Sequence, residues 1–188
     1  RDESRWLRQR GRRRCRRMMR HPVTPPKHPG YQQTAQLGLF TALASILGYI
    51  ETLFPVFAGI PGIKLGLANL AVLFILVRYS WQKAALVSIA RIIIIGAMFG
   101  SMFSILYSTA GAALSLAAMT LVLARTDFSI ITVSVIGGVT HNIGQLLIAM
   151  ALMETGSLIY YAPALLISGV VTGILIGALT GELLKRLR

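Results

Sequence analysis

Phe128-Ser-Ile-Ile-Thr-Val-Ser-Val-Ile-Gly-Gly-Val-Thr-His-Asn-Ile-Gly-Gln-Leu-Leu-Ile-Ala-Met150 is a run of 23 residues without an Asp, Glu, Lys or Arg. A helix that crosses the hydrocarbon core of a bilayer needs about 20 predominantly apolar residues, so this run is long enough to span. Its second half nevertheless carries an imidazole and two amides, at His141, Asn142 and Gln145. Working outward, the chain is almost continuously apolar from Tyr31 to Leu187, and 55% of all residues are hydrophobic. The mean hydropathy of +0.68 exceeds what a soluble domain of 188 residues can hide. The expected fold is all-α and integral to a membrane: one bundle over residues 31–188, preceded by a basic tail over residues 1–30.

Proline, glycine and charge punctuate the bundle into six expected spans, Gln33–Phe54, Leu65–Tyr79, Lys83–Met98, Ser104–Leu123, Phe128–Met150 and Leu158–Leu184. The second is short and suggests a helix entered from a structured loop. No charge marks the turn between the third and fourth, which the glycines place near Phe99–Met102. Arg78 and Lys83 flank the second connection, Arg125 the fourth, and Lys185, Arg186 and Arg188 the carboxyl end. These alternate with poorly basic connections. An even number of crossings with the tail inside puts every basic connection on the cytoplasmic face, as the positive-inside rule requires, and both termini are then cytoplasmic. Glu51, the Pro55–Lys64 loop and Glu154 face outward.

The net charge of +13 resembles a nucleic-acid signal until it is located. Arg1, Arg5, Arg8, Arg10, Arg12, Arg13, Arg14, Arg16, Arg17, Arg20 and Lys27 all precede the first span. A self-repelling arm lying against anionic lipid accounts for them. RNA binding would call for interleaved aromatics, and Trp6 stands alone. The first residue is not methionine, so Met18 and Met19 are alternative starts, and no small-residue cleavage site follows a short apolar core. Cys15, the single cysteine, has no internal disulfide partner.

With this topology the polar residues collect in the outer half of the membrane: Lys64 at the mouth of the second helix, Asn69 deeper, Arg91 near the middle of the third, Ser108 and Thr109 on the fourth. His141 and Gln145 are four apart and Asn142 and Gln145 three apart, so one broad helix face carries all three. Interhelical hydrogen bonding is the plain explanation for each alone; together, with Gly137, Gly138 and Gly144 thinning the helix beside them, they suggest a ligand site. Arg91 stays protonated, so in mid-span it requires an anion, a water-filled cavity or a snorkelling route. Glu51 is its candidate structural partner and a ligand phosphate or carboxylate the alternative. Tyr160 and Tyr161 fit an interfacial aromatic belt. On the first helix Gly38 and Ala42 are four apart, and Ala44 and Gly48 repeat the spacing, which implies close helix contact inside the bundle or with another membrane subunit.

The absences restrict the chemistry. Aspartates occur only at positions 2 and 127, whereas prenyl diphosphate synthesis clusters aspartates to hold magnesium. There is no P-loop, no Cys/His metal spacing and no carboxylate pair for acid–base work. The chain is expected not to be an enzyme and to need no cofactor or metal of its own. Any transport against a gradient requires another chain to hydrolyse ATP.

The stretch Pro61-Gly-Ile-Lys-Leu-Gly-Leu-Ala-Asn-Leu70, the Ala90-Arg91-Ile-Ile segment with Gly96 and Gly100, the Tyr107-Ser-Thr-Ala-Gly-Ala-Ala-Leu-Ser115 stretch and the His141-Asn-Ile-Gly-Gln-Leu-Leu147 motif together resemble the bacterial Gx transporter family. That family is also labelled heptaprenyl diphosphate synthase component I. The resemblance spans roughly Gln33 to Arg186 and extends to the substrate-binding S components of energy-coupling factor (ECF) transporters. It implies six helices in the bacterial cytoplasmic membrane, an outward-facing pocket, and small residues on the first helix that dock a coupling subunit driven by two ATPases. The expected function is capture of a small anionic nutrient or cofactor precursor, for which a flavin-like or prenyl- or quinone-related compound is suited. Lys64 and Arg91 would attract the anion while Asn69, His141, Asn142 and Gln145 orient it. The synthase label implies instead a noncatalytic membrane partner of a prenyl synthase, and a proton-coupled carrier using His141 ranks third.

Overall fold

The computed structural model describes residues 30–53, 66–99, 102–126 and 128–186. Among them are six α-helices and no strand: α1 Gly30–Leu53, α2 Leu67–Arg78, α3 Trp81–Phe99, α4 Met102–Arg125, α5 Ile130–Met153 and α6 Ala162–Arg186, with a 3-10 turn over Gly156–Tyr161 before α6. The expected spans map onto these helices in order. The break between α3 and α4 falls where the glycines place it. Four helical segments, within α3, α4, α5 and the 3-10 turn joined to α6, are long and apolar enough to cross a membrane. The basic tail and the Pro55–Lys64 loop lie outside the described residues.

At 12 residues, α2 rises only about 18 Å, at 1.5 Å per residue, well short of a hydrocarbon core. It is buried almost all round, through Ala68, Ala71, Val72, Leu73, Phe74, Ile75 and Leu76, and α1, α3 and α6 pack against it. An apolar helix without a polar face belongs inside a protein. Its surroundings are other helices, so its length need not match a bilayer. Phe40 of α1 stacks on Phe74 with ring centroids 5.3 Å apart. The Tyr79 hydroxyl donates to Gln36 Oε1 at 2.9 Å, tying the end of α2 back to α1.

The other half of the bundle, α4, α5 and α6, is assembled on glycine. A Cβ built on Gly138 would stand 2.5 Å from the Gly169 carbonyl oxygen, and one on Gly173 would stand 2.6 Å from Val135 Cα. On the α4 side, Gly144 abuts the Ala110 carbonyl in the same way, at 2.9 Å. These neighbours are backbone and cannot rotate aside. With apolar lipid on the outside, close packing of this kind rather than exclusion of water holds helices together.

The exterior is correspondingly apolar: Leu39 is 70% and Ile167 67% exposed, and Leu86, Ile93, Leu106, Leu121 and Val171 are also exposed. Soluble monomers rarely show contiguous apolar surface on this scale. On α1 the two small pairs separate. Ala44 is fully buried and a Cβ on Gly48 would sit 3.7 Å from the Ala68 Cβ, whereas Ala42 is exposed and Gly38 has nothing within 4 Å of its built Cβ. Two residues of helix turn by about 200°, so Ala42 and Ala44 occupy opposite faces. The first pair looks outward and the second packs the bundle.

Because backbone lies against Gly173, Gly173→Ala is expected to force α5 and α6 apart at a cost of about 1–3 kcal/mol, read as a lower melting temperature in detergent or nanodiscs. Gly181→Ala, where nothing stands within 4 Å, should leave it unchanged or raise it through helix propensity. Equal effects at both positions would contradict the close approach.

Candidate functional site

The helices alternate in direction, so the carboxyl ends of α1, α3 and α5 and the amino ends of α2, α4 and α6 share one end of the bundle. At that end lies a cavity of about 140 Å³, lined from all six helices. A chamber of about 20 Å³ shares Gly66, Asn69, Gly138 and Thr172 with it and continues toward Ser115 and Ser134. A volume of that order holds about one water. Arg78, Lys83, Arg125, Lys185 and Arg186 belong to the opposite helix ends. Among the described residues Arg91 is therefore the one Lys or Arg away from the basic end.

Arg91 reaches the cavity from α3. Its Nη2 donates to Asn69 Oδ1 at 3.2 Å, while its Nε is sealed from solvent with no hydrogen-bond partner among the described residues. Asn69 sits in the first turn of α2, which Gly66 opens in the left-handed conformation at φ 73°, a geometry that glycine adopts without a Cβ penalty. The Asn69 N–H donates to the Gly66 carbonyl at 2.8 Å. Glu51, from the last turn of α1, accepts from the Leu67 N–H at 2.9 Å. A carboxylate at a helix amino terminus meets both the unpaired N–H groups and the positive end of the helix dipole.

Glu51 lines the same cavity as Arg91 and its charge acts on Arg91. The two do not form an ion pair. Among the described residues, those within 4.0 Å are Lys185–Glu182 at 3.2 Å and Arg186–Glu182 at 3.3 Å, both exposed. The expected structural partner of Arg91 is thus present as a nearby charge, and the direct contact is made by Asn69.

From α5, His141, Asn142 and Gln145 all line the cavity, as their spacing predicts, but they are differently engaged. Gln145 is only 3% exposed and turns its side chain to the α4 contact, where a Cβ built on Gly111 would stand 2.7 Å from its Cγ. Asn142 Nδ2 donates to the Leu165 carbonyl of α6 at 2.7 Å, so half of its amide fastens the α5–α6 contact. His141 packs on α4, where a Cβ built on Gly111 would stand 2.9 Å from the His141 carbonyl oxygen and 3.0 Å from its Cε1. Glycine at position 111 is what lets α4 lie this close to both His141 and Gln145.

Ser108 joins the lining, whereas Thr109 is exposed and donates to the Ile105 carbonyl at 2.7 Å. Tyr160 is 84% exposed and Tyr161 is exposed too; neither lines the cavity, in keeping with an interfacial position. Lys64 lies outside the described residues. Thr172 of α6 and Ser104 of α4 were not singled out by sequence reasoning, yet both line the cavity. The signal for Thr172 was its position between Gly169 and Gly173, on a face that α6 turns toward α5. Among the described residues no group of three His, Cys, Asp or Glu side chains is placed to hold a metal ion.

Asn69→Leu should strip Arg91 of its hydrogen bond and lower the melting temperature by the equivalent of about 1–3 kcal/mol. Adding Arg91→Leu should restore much of it, because removing both partners leaves no orphaned polar group. A double variant no more stable than Asn69→Leu alone would contradict this pairing.

A family model described as heptaprenyl diphosphate synthase component I matches residues 40–183, a stretch that contains every residue of the cavity lining. No curated protein matches the chain, and no solved structure matches it.

Proposed function

We propose, for a chain that belongs to the heptaprenyl diphosphate synthase component I family, that it is the membrane-embedded capture subunit of an uptake system. It binds a small, anion-bearing nutrient or cofactor precursor in the cavity at the non-basic end of the bundle, and separate ATPase chains act through a coupling subunit to empty it. The observation that carries this reading is a permanent cation inside an apolar bundle, lining a cavity with one of its N–H groups unsatisfied among the described residues. A charge held at membrane depth is costly and is retained where it serves a substrate or ion. Gln145, buried in the cavity lining, supplies a second polar group for a ligand. Such largely apolar pockets with a few convergent polar groups are the usual form of small-molecule sites.

The membrane orientation follows from charge. With the basic helix ends on the cytoplasmic side, all six helices cross or enter the bilayer, both termini are cytoplasmic and the cavity opens outward, in the bacterial cytoplasmic membrane. The outward-facing Gly38 and Ala42 then offer a flat stripe of α1 to a coupling subunit. The family description fits a second reading as well, a noncatalytic membrane subunit of heptaprenyl diphosphate synthase. The two differ in what the protein retains: a capture subunit holds a small molecule or a coupling protein, an accessory subunit a soluble synthase chain.

Native mass spectrometry of gently purified protein is expected to show a retained small molecule that is lost in Arg91→Lys and Gln145→Leu without loss of thermal stability. Lysine keeps the charge but lacks the planar fork for bidentate contact with an anion. Retention of a synthase chain and no ligand would favour the accessory subunit. For orientation, a cysteine at Thr155 should react with an impermeant thiol reagent applied to intact cells and one at Gln82 should not; labelling at Gln82 would overturn the arrangement. Ala42→Trp should preserve ligand retention and abolish uptake, because a bulky ring prevents close approach of a partner helix.

A further inference from the structure

The cavity holds two opposite charges that do not touch. Arg91 stands on one side, engaged by Asn69 with its Nε unsatisfied among the described residues, and Glu51 on another, where one carboxylate oxygen accepts from the Leu67 N–H. Both line the same space, with no ion pair between them within 4.0 Å. A simple anion bound to Arg91 would face the Glu51 carboxylate across the cavity, and like charges repel. A ligand with two poles avoids this repulsion.

We propose that the buried end of the ligand is a compact dipolar group, its anionic pole on Arg91 and an ammonium or other N–H-donating pole on Glu51. This rests on the capture-subunit reading and narrows its substrate from anions to zwitterion-like compounds. The size agrees: a cavity of about 150 Å³ accommodates benzene, so a space of about 140 Å³ encloses a group of a few heavy atoms between the charges. Any larger ligand projects from it. Gln145, with both donor and acceptor, can serve either pole.

The test uses three probes with the same four-carbon chain: 4-aminobutyrate (both poles), butyrate (anion) and butylamine (cation). Equilibrium dialysis of each radiolabelled probe is performed against the full chain in lipid nanodiscs after washing out retained ligand. The wild-type protein is expected to bind 4-aminobutyrate at least tenfold more tightly than either single-pole probe. Glu51→Gln should erase its advantage over butyrate, and Arg91→Gln its advantage over butylamine. The wild-type comparison needs no variant to fold. If butyrate binds as tightly as 4-aminobutyrate and still requires Arg91, the dipolar assignment is overturned while the capture subunit stands. If no probe binds and no small molecule is retained on purification, both are overturned.

Discussion

A guanidinium that cannot shed its proton, placed in the middle of an apolar helix, is the constraint around which the rest of this structure is arranged. Among the described residues Arg91 has no carboxylate in contact; it has an amide from the first turn of α2 and a carboxylate held further off by the amino terminus of the same helix. That arrangement leaves Nε without a hydrogen-bond partner among the described residues. Polar groups left short of partners in a buried site are the ones a ligand can complete.

The short second helix makes room for this. Beginning only at Leu67, α2 brings its amino terminus to the level of a residue in the middle of α3. The positive end of its dipole therefore faces the cavity and anchors Glu51. On the other side, glycines at positions 111, 138, 144 and 169 let α4, α5 and α6 close up on their backbones. The two halves of the bundle are built differently, one around a buried apolar helix and one on glycine contacts. Arg91 and Asn69 come from the first half, and His141, Asn142 and Gln145 from the second.

Much of this was legible in the sequence. Helix order and boundaries follow from apolar runs interrupted by glycine and charge, and even the uncharged break near Phe99–Met102 lies where the glycines indicate. The grouping of Asn69, Arg91, His141, Asn142 and Gln145 at one end follows from alternating helix direction. What spacing could not convey is how each side chain is used. Asn142 spends an N–H on the Leu165 carbonyl because Gly138 and Gly169 let α6 come close, a tertiary fact with no local trace. Glu51 reads as a counter-ion, yet it caps α2, because the loop between α1 and α2 has no pattern from which its path follows. The small pairs of α1 look alike in sequence and face opposite ways, since four-residue spacing specifies a stripe and not which side the bundle takes.

The central claim, that the cavity around Arg91 opens to the outside of the cell, is tested most directly from within it. Ser108 lines the cavity and is half-buried. In a Cys15→Ser background, Ser108→Cys should react from outside intact cells with a small, impermeant, anionic thiol reagent, and the rate should fall severalfold when Arg91 is also replaced by Gln. No reaction from outside, with ready reaction in inside-out vesicles, would contradict the account.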